Sequence, residues 1–250
     1  AETIRNACLE QHTLLPSWID LGGGSNGYMF SYYGFLRPDI LIGCLLPDVP
    51  MLCILTGYML AIYLISVLLC FVWLRSEQIR PLYAFTGSVL FMTAGCLFHM
   101  HRQIMFVNYL PFLLAALLCI RRKCIKLLPL FLCLICLSSF YFSIASFAAV
   151  GWYWYQREHQ KRDFLLRYLR SVLFAVGMSA ALLLPTAFVL LEHRRSGQSA
   201  TLLSVLELFG PNPAMNNLLF NEYGMGLSFV CFYTILAGLT RKAFRKDSLL

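Results

Sequence analysis

The sequence predicts an all-α, polytopic helical membrane protein with about six or seven membrane segments. Of its 250 residues, 59% are hydrophobic and only 13% are charged, whereas a typical soluble domain is roughly 25% charged. A soluble protein of this size needs a polar shell, and this chain has too few charges to form one. The same composition excludes disordered, collagen-like and secreted disulfide-rich proteins.

Long apolar segments support this fold class. Residues 51–74 carry no charge and exceed the ~20 residues that a helix needs to cross a bilayer. Further spans are predicted at 82–98, 104–120, 171–191 and 226–240.

The apolar stretch 127–154 is too long for one span, because its 28 residues would form a helix of about 42 Å against a hydrocarbon core of ~30 Å. Ser138 and Ser139 lie near its middle. We therefore predict a short helical hairpin with a turn at this pair of serines.

The basic residues predict the orientation in the membrane. Fifteen of the 20 lie in four segments, at 75–81, 121–126, 155–170 and 241–247. The positive-inside rule places these segments in the cytoplasm. Because 121–126 and 155–170 then lie on the same side, the stretch 127–154 must enter the membrane from the cytoplasm and return to it. The net charge is then +11 on the cytoplasmic side and −3 on the outer side.

Two regions follow from this topology. Residues 1–50 form an extracytoplasmic loop with a re-entrant or interfacial segment, and residues 51–250 form the transmembrane domain, with an outer loop at 192–225. Since the chain begins at Ala1 on the outer side, we expect a fragment that lacks at least one N-terminal span. The mixed basic and aromatic residues 156–170 are typical of an interfacial helix.

Neither the net charge nor the cysteines indicate another class of protein. The charge of +8 comes from residues that flank apolar segments, which is typical of membrane topology and not of nucleic-acid binding. Cys133 and Cys136 form a C-x-x-C pair inside an apolar run with no second ligand pair, so we interpret them as packing residues. The sequence contains no phosphate loop, zinc protease motif, nucleophile elbow or metal-ligand cluster at useful spacing. It firmly implies no cofactor and leaves the use of a divalent metal open.

Candidate functional residues gather on the predicted outer face, where four of the five histidines and eight of the 12 acidic residues fall. The first outer segment holds Asp20, a glycine run at 22–24, and then Arg37 and Asp39. Arg37 and Asp39 adjoin an apolar stretch, where unpaired charge is costly. They are either functional groups or a local ion pair that fixes a re-entrant turn.

The second outer segment is the tight connection around His99, His101 and Arg102. Two histidines do not make a metal site, but with the arginine they suit a lipid-linked phosphate, through charge-assisted hydrogen bonds. An interfacial turn with polar groups at the membrane surface is the alternative. Asn108 adds a polar group that we expect one helical turn into the next span.

The third outer segment begins at Glu192 and carries Arg194, a further candidate for binding phosphate. Residues 199–209 predict a short amphipathic helix on the outer surface. That helix either caps the bundle or lines a groove for a polymer or lipid, and the sequence favours neither.

Several loose, aromatic-rich motifs occur along nearly the whole chain in the order of one known family, and on them the sequence resembles the bacterial membrane protein YfhO family. They are the glycine run, Tyr32-Tyr33 with Pro38, the turn into Asn108–Leu114, Ser139–Ser143, Pro185, Arg194-Arg195, and Tyr223-Gly224 with Gly226.

The resemblance implies a GT-C-like fold and transfer of a sugar from an undecaprenyl-phosphate donor to teichoic or lipoteichoic acid outside the bacterial plasma membrane. GT-C enzymes place a catalytic carboxylate in the first outer loop, after the first span. The resemblance therefore implies as the base either Asp39 or Asp20, which remain of that loop, or a carboxylate upstream of Ala1. Phosphate would be bound by Arg37, His99, His101, Arg102, Asn108 and Arg194. A non-catalytic lipid-carrier or polymer transporter, or an assembly factor, is the alternative. The expected partners are the bilayer, the lipid-linked donor and the polymer acceptor, without nucleic acid.

Overall fold

Helices dominate the chain, which confirms the predicted fold class at that level. In the part that the structure describes, the one sheet is a two-residue antiparallel pair, Trp18–Ile19 with Ser25–Asn26. The computed structural model describes residues 1–20, 25–27, 35–93, 104, 107–158 and 161–192.

Proline sets the start of several helices, because its fixed φ and missing N–H suit the first helical turn. Pro38 and Pro81 each occupy the first position of a helix. Within the described ranges the α-helices are α1 (Glu2–Glu10), α2 (Pro38–Leu45), α3 (Met51–Ser76), α4 (Pro81–Met92), α5 (Leu110–Arg121), α6 (Leu128–Ser138), α7 (Phe140–Arg157), α8 (Lys161–Met178) and α9 (Ala180–Glu192).

Helix α3 is long and apolar enough to cross a membrane. Its 26 residues extend about 39 Å at 1.5 Å per residue, and leucines such as Leu52, 74% exposed, cover its surface. Among the described residues, α8 and α9 would provide a second span if their bent pair counts as one, whereas α4, α5 and α6 are shorter apolar helices. The expected number of six or seven membrane segments therefore stays a prediction.

The predicted span 171–191 is not a straight helix. Residues Phe164–Met178 and Ala180–Phe188 are bent by 75°, with Ser179 between α8 and α9. The Ser179 hydroxyl donates a 2.9 Å bond to the Ala175 carbonyl, a back-bond that often bends helices. Pro185 inside α9 also lacks the N–H that would continue the helical ladder.

The long apolar stretch after α5 is interrupted near its middle, as the sequence predicts. Helix α6 ends at Ser138, and Ser139 has extended backbone with φ −157° and ψ 95°. The Ser139 N–H donates to the Ile135 carbonyl at 2.9 Å, and its own carbonyl accepts from the Ser143 N–H at 3.1 Å. Ser139 therefore ends one helix and begins the next.

The predicted span 104–120 begins as a helix later than expected. Helix α5 starts at Leu110, and Asn108 lies in the turn that precedes it. The prediction that Asn108 lies one turn inside the helix is therefore wrong. Pro111 near the start of α5 accounts for this, since proline is favoured in the first turn and not in the helix interior.

Helices α5 to α8 pack around one apolar core. Cys133 belongs to this core and Cys136 is also buried, which is the packing role expected of the C-x-x-C pair. The largest buried side chains of this core come from α6, α7 and α8. They are Leu128, Leu132, Ile135, Trp154 and Phe164.

The N-terminal region packs onto one end of this bundle. Ala7 of α1 and Ile19 form a buried cluster with Phe35 and with Leu182 of α9, and Leu137 at the end of α6 packs against them. The N-terminal region therefore covers the end of the bundle where α6 gives way to α7.

Glu77, just after α3, joins the end of α3 to the ends of α5 and α7, which carry basic residues. Its carboxylate accepts a bond from the Tyr153 hydroxyl and pairs with Arg157, both near the end of α7. Arg121 lies at the end of α5, and its Nε is 3.8 Å from Glu77 Oε1. The same Nε donates a 2.7 Å bond to the Ser76 carbonyl. We call this arrangement the Glu77 clasp.

Candidate functional site

Arg37 and Asp39 form a buried ion pair at the start of α2. Arg37 Nε donates to Asp39 Oδ1 at 2.9 Å and Nη2 donates to Oδ2 at 2.6 Å, so both carboxylate oxygens are engaged. Arg37 is 6% exposed and Asp39 is fully buried. Asp39 lies in the first turn of α2, where the helix dipole favours a carboxylate. The ion pair considered from the sequence is therefore present.

A second set of polar groups links α3 to the interruption between α6 and α7. The Tyr58 hydroxyl donates to Asn108 Oδ1, and Asn108 Nδ2 donates to the Ser138 carbonyl at 3.3 Å. Asn108 is fully buried. The Ser138 carbonyl lies in the last turn of α6, where carbonyls have no partner within the helix. The Asn108 amide thus satisfies a carbonyl that the end of α6 leaves unpaired.

The charges of both Arg37 and Asp39 act on the Tyr58 hydroxyl, so we consider the two sets together. Ser139, the next residue after Ser138, is 1% exposed. Its hydroxyl has no hydrogen-bond partner among the described residues. Buried polar groups within a membrane bundle are often functional. We call Arg37, Asp39, Tyr58, Asn108, Ser138 and Ser139 the polar cluster.

A separate cleft of about 200 Å³ lies beside α1, and we call it the α1 cleft. Gln11 shapes its rim, since its Nε2 donates to the Trp18 carbonyl at 2.7 Å and its Oε1 accepts from the Ser17 N–H at 3.0 Å. Trp18 is 51% exposed, and Asp20 is exposed beside it. The cleft is lined by Glu2, Thr3, Asn6, Ala7, Glu10, Gln11, Trp18 and Asp20.

Neither a metal centre nor an activated thiol emerges from the described ranges. No group of three or more His, Cys, Asp or Glu residues there could hold a metal ion. Burial and the neighbouring Cys44 raise the pKa of the Cys8 thiol to about 12. A thiol with a raised pKa stays protonated and is a poor nucleophile.

The structure separates the two candidate bases. Asp20 is exposed in the α1 cleft, whereas Asp39 is enclosed and bound to Arg37. Of the candidate phosphate ligands, Arg37 and Asn108 belong to the polar cluster. His99, His101, Arg102 and Arg194 lie outside the described residues.

Sequence reasoning missed Tyr58 and treated Ser139 only as a turn residue. A signal for Tyr58 existed, because a buried Asn108 must find hydrogen-bond partners and Tyr58 is one of few polar side chains in the charge-free segment 51–74. The spacing along the chain does not identify which one pairs with it.

Comparison with known proteins identifies the family of the chain. No curated protein and no solved structure matches it. The sequence matches the family described as bacterial membrane protein YfhO over residues 2–244. This match extends over almost all of the 250 residues and agrees with the exposed apolar surface of α3. The chain therefore belongs to the YfhO family of bacterial membrane proteins.

Proposed function

We propose that this protein is a membrane glycosyltransferase that transfers a sugar from a polyprenyl-phosphate donor to teichoic or lipoteichoic acid outside the plasma membrane. The α1 cleft carries this proposal, because an exposed carboxylate and an exposed indole share a small cavity in the region predicted to lie outside. Its YfhO membership supports the membrane location.

The α1 cleft suits a ligand rich in hydroxyl groups. The apolar face of the exposed Trp18 indole can pack against a sugar ring. Asn6 also lines the cleft, and its amide offers donors and an acceptor to sugar hydroxyls. Together with the carboxylates, these groups could hold an acceptor sugar beside Asp20.

Asp20 is our candidate for the general base. Its carboxylate would take the proton of an acceptor hydroxyl. The hydroxyl oxygen would then form a bond to the anomeric carbon of the donor, while the bond from that carbon to the phosphate oxygen breaks. The electron pair of that bond would leave with the polyprenyl phosphate.

Asp39 is better suited to positioning, because both of its oxygens are bound to Arg37. To act as a base it would have to leave a buried ion pair, and losing one partner of such a pair costs about 3–5 kcal/mol. We propose that Arg37 and Asn108 lie near the donor phosphate. His99, His101, Arg102 and Arg194 remain proposed phosphate ligands.

The test is Asp20→Asn in the full-length protein, with transfer of labelled sugar from undecaprenyl phosphate to the polymer as the readout. We expect the rate to fall about 100-fold or more, as for loss of a general base. Asp48→Asn is the matched control, because Asp48 is exposed in the same N-terminal region but does not line the cleft. Wild-type transfer by the Asp20 variant would refute the assignment.

The proposed orientation places the basic helix ends in the cytoplasm. Cys53 near the start of α3 and Cys124 after α5 are both exposed and lie on opposite predicted sides. A membrane-impermeant maleimide added to intact cells should label Cys53 and spare Cys124 until the cells are opened. The reverse pattern would invert the topology.

A non-catalytic transporter or assembly factor is the second candidate. The specific observation in its favour is the pair of helix interruptions, at Ser139 and at the 75° bend beside Ser179. Broken membrane helices are common at transporter binding sites. Wild-type protein that binds undecaprenyl-phosphate sugar but never releases sugar to the acceptor would favour this function.

A further inference from the structure

We infer that the N-terminus of α7 binds a phosphate monoester, that of a polyprenyl-phosphate lipid, and that Ser139 is a direct ligand of this phosphate. This inference rests on the proposed function, which requires such a lipid, and it adds a residue to the donor site. Three independent features of the structure support it.

The first feature is the helix itself. Helix α7 is 18 residues long and begins inside the protein immediately after Ser139, its N-cap. The first backbone N–H groups of a helix have no acceptor within the helix, and the helix dipole places roughly half a positive charge there. The start of a helix is therefore suited to an anion such as phosphate.

The second feature is the hydroxyl of Ser139. An N-cap serine normally accepts a bond from an N–H of its own helix, but Ser139 makes no such cap bond. Its Oγ is buried and has no partner among the residues that the structure describes. A buried polar group without a partner is unfavourable, and an oxygen of a bound phosphate would supply the partner.

The third feature is the surrounding polar cluster. Asn108 bonds the carbonyl of Ser138, the residue before the N-cap, and so holds the end of α6 beside the site. Asn108 also accepts a bond from the Tyr58 hydroxyl, on which the charges of Asp39 and Arg37 act. The N-cap of α7 thus adjoins other buried polar groups.

The position in the bundle fits a lipid headgroup. Leu137, two residues before Ser139, packs against Phe35 and Leu182 beneath the N-terminal region, on the predicted outer side. Because Ser139 is enclosed, the phosphate must displace packed side chains as it enters.

The experiment compares Ser139→Ala with Ser66→Ala in full-length protein in nanodiscs. Ser66 lies inside α3 and is the matched control, since its hydroxyl is also buried and unpartnered among the described residues. We expect the Kd for undecaprenyl phosphate to rise about tenfold in Ser139→Ala, a loss of 1.4 kcal/mol, and to stay unchanged in Ser66→Ala. Neither variant should lower the Tm, because each removes an unpartnered hydroxyl.

Undecaprenol, which lacks the phosphate, and inorganic phosphate identify what the site recognises. A loss of affinity confined to undecaprenyl phosphate supports a lipid headgroup site, and competition by inorganic phosphate supports a site for phosphate alone. Equal weakening of undecaprenol would overturn the inference, as would a wild-type Kd in Ser139→Ala. These outcomes do not depend on the Asp20 assay, because Asp20→Asn should slow transfer and leave donor binding intact.

Discussion

The bond between Tyr58 and Asn108 makes a quantitative prediction about stability. Tyr58→Phe removes one hydroxyl and leaves Asn108 Oδ1, a fully buried acceptor, without the partner that it has in the structure. Leaving a buried polar group unsatisfied costs about 1–3 kcal/mol. Interhelical hydrogen bonds in a membrane bundle average only about 0.6 kcal/mol, with a maximum near 1.7. We therefore expect Tyr58→Phe to destabilise the protein by about 1–2 kcal/mol.

Asn108→Leu should cost more than Tyr58→Phe, because it breaks two bonds. It leaves the Tyr58 hydroxyl and the Ser138 carbonyl both without the Asn108 amide. In the double variant the Tyr58 hydroxyl is absent, so replacing Asn108 no longer leaves that hydroxyl without a partner. The stability losses of Tyr58→Phe and Asn108→Leu should therefore not add. We expect a coupling free energy of about 0.6–1.7 kcal/mol.

The measurement is reversible unfolding in mixed micelles by added dodecyl sulfate, followed by tryptophan fluorescence. Thr56→Val is the control, since the Thr56 hydroxyl donates to the Leu52 carbonyl of its own helix, on an exposed face. Strictly additive free energies of unfolding for Tyr58→Phe and Asn108→Leu would refute the reasoning, because the two side chains would then not interact.

Three further predictions concern other contacts. Glu77→Gln should lower stability by about 1–2 kcal/mol in the same unfolding assay, because the amide cannot pair with two arginines; unchanged stability would contradict this. Gly151→Ala should destabilise by roughly 1 kcal/mol, since the added Cβ would lie 2.9 Å from a tyrosine ring carbon, and overpacking outweighs better helix propensity. Gly57→Ala, with open space at that position, is its control and should be neutral or stabilising. Cys8, with a pKa raised to about 12, should resist maleimide at pH 9 while the exposed Cys53 reacts, and equal labelling would be inconsistent with that burial.

Features that depend on neighbouring residues could be predicted from segment lengths and residue spacing in the sequence. The length of 127–154 required an interruption, and the structure has it at Ser139. The two-residue spacing of Arg37 and Asp39 suggested an ion pair, and it is present. Each of these depends on geometry within one or two helical turns, which the sequence determines directly.

The remaining features depend on contacts between distant segments. Tyr58 and Asn108 are 50 residues apart, so their pairing follows from how α3 packs and not from local spacing. The bend at Ser179 was missed because hydropathy is continuous across 171–191 and does not report a hydroxyl back-bond. The two candidate bases were equivalent in sequence, and only tertiary packing encloses Asp39 and leaves Asp20 exposed.

The Glu77 clasp has a consequence for the order of assembly. Its carboxylate is synthesised early, but Arg121 and Arg157 follow much later, the latter 80 residues further along the chain. While the chain is still being synthesised, α3 and α4 must therefore form with a carboxylate between them that has neither of these partners. The Glu77 clasp can form only after the end of α7 has left the ribosome. It therefore stabilises the completed bundle and cannot guide the first steps of assembly.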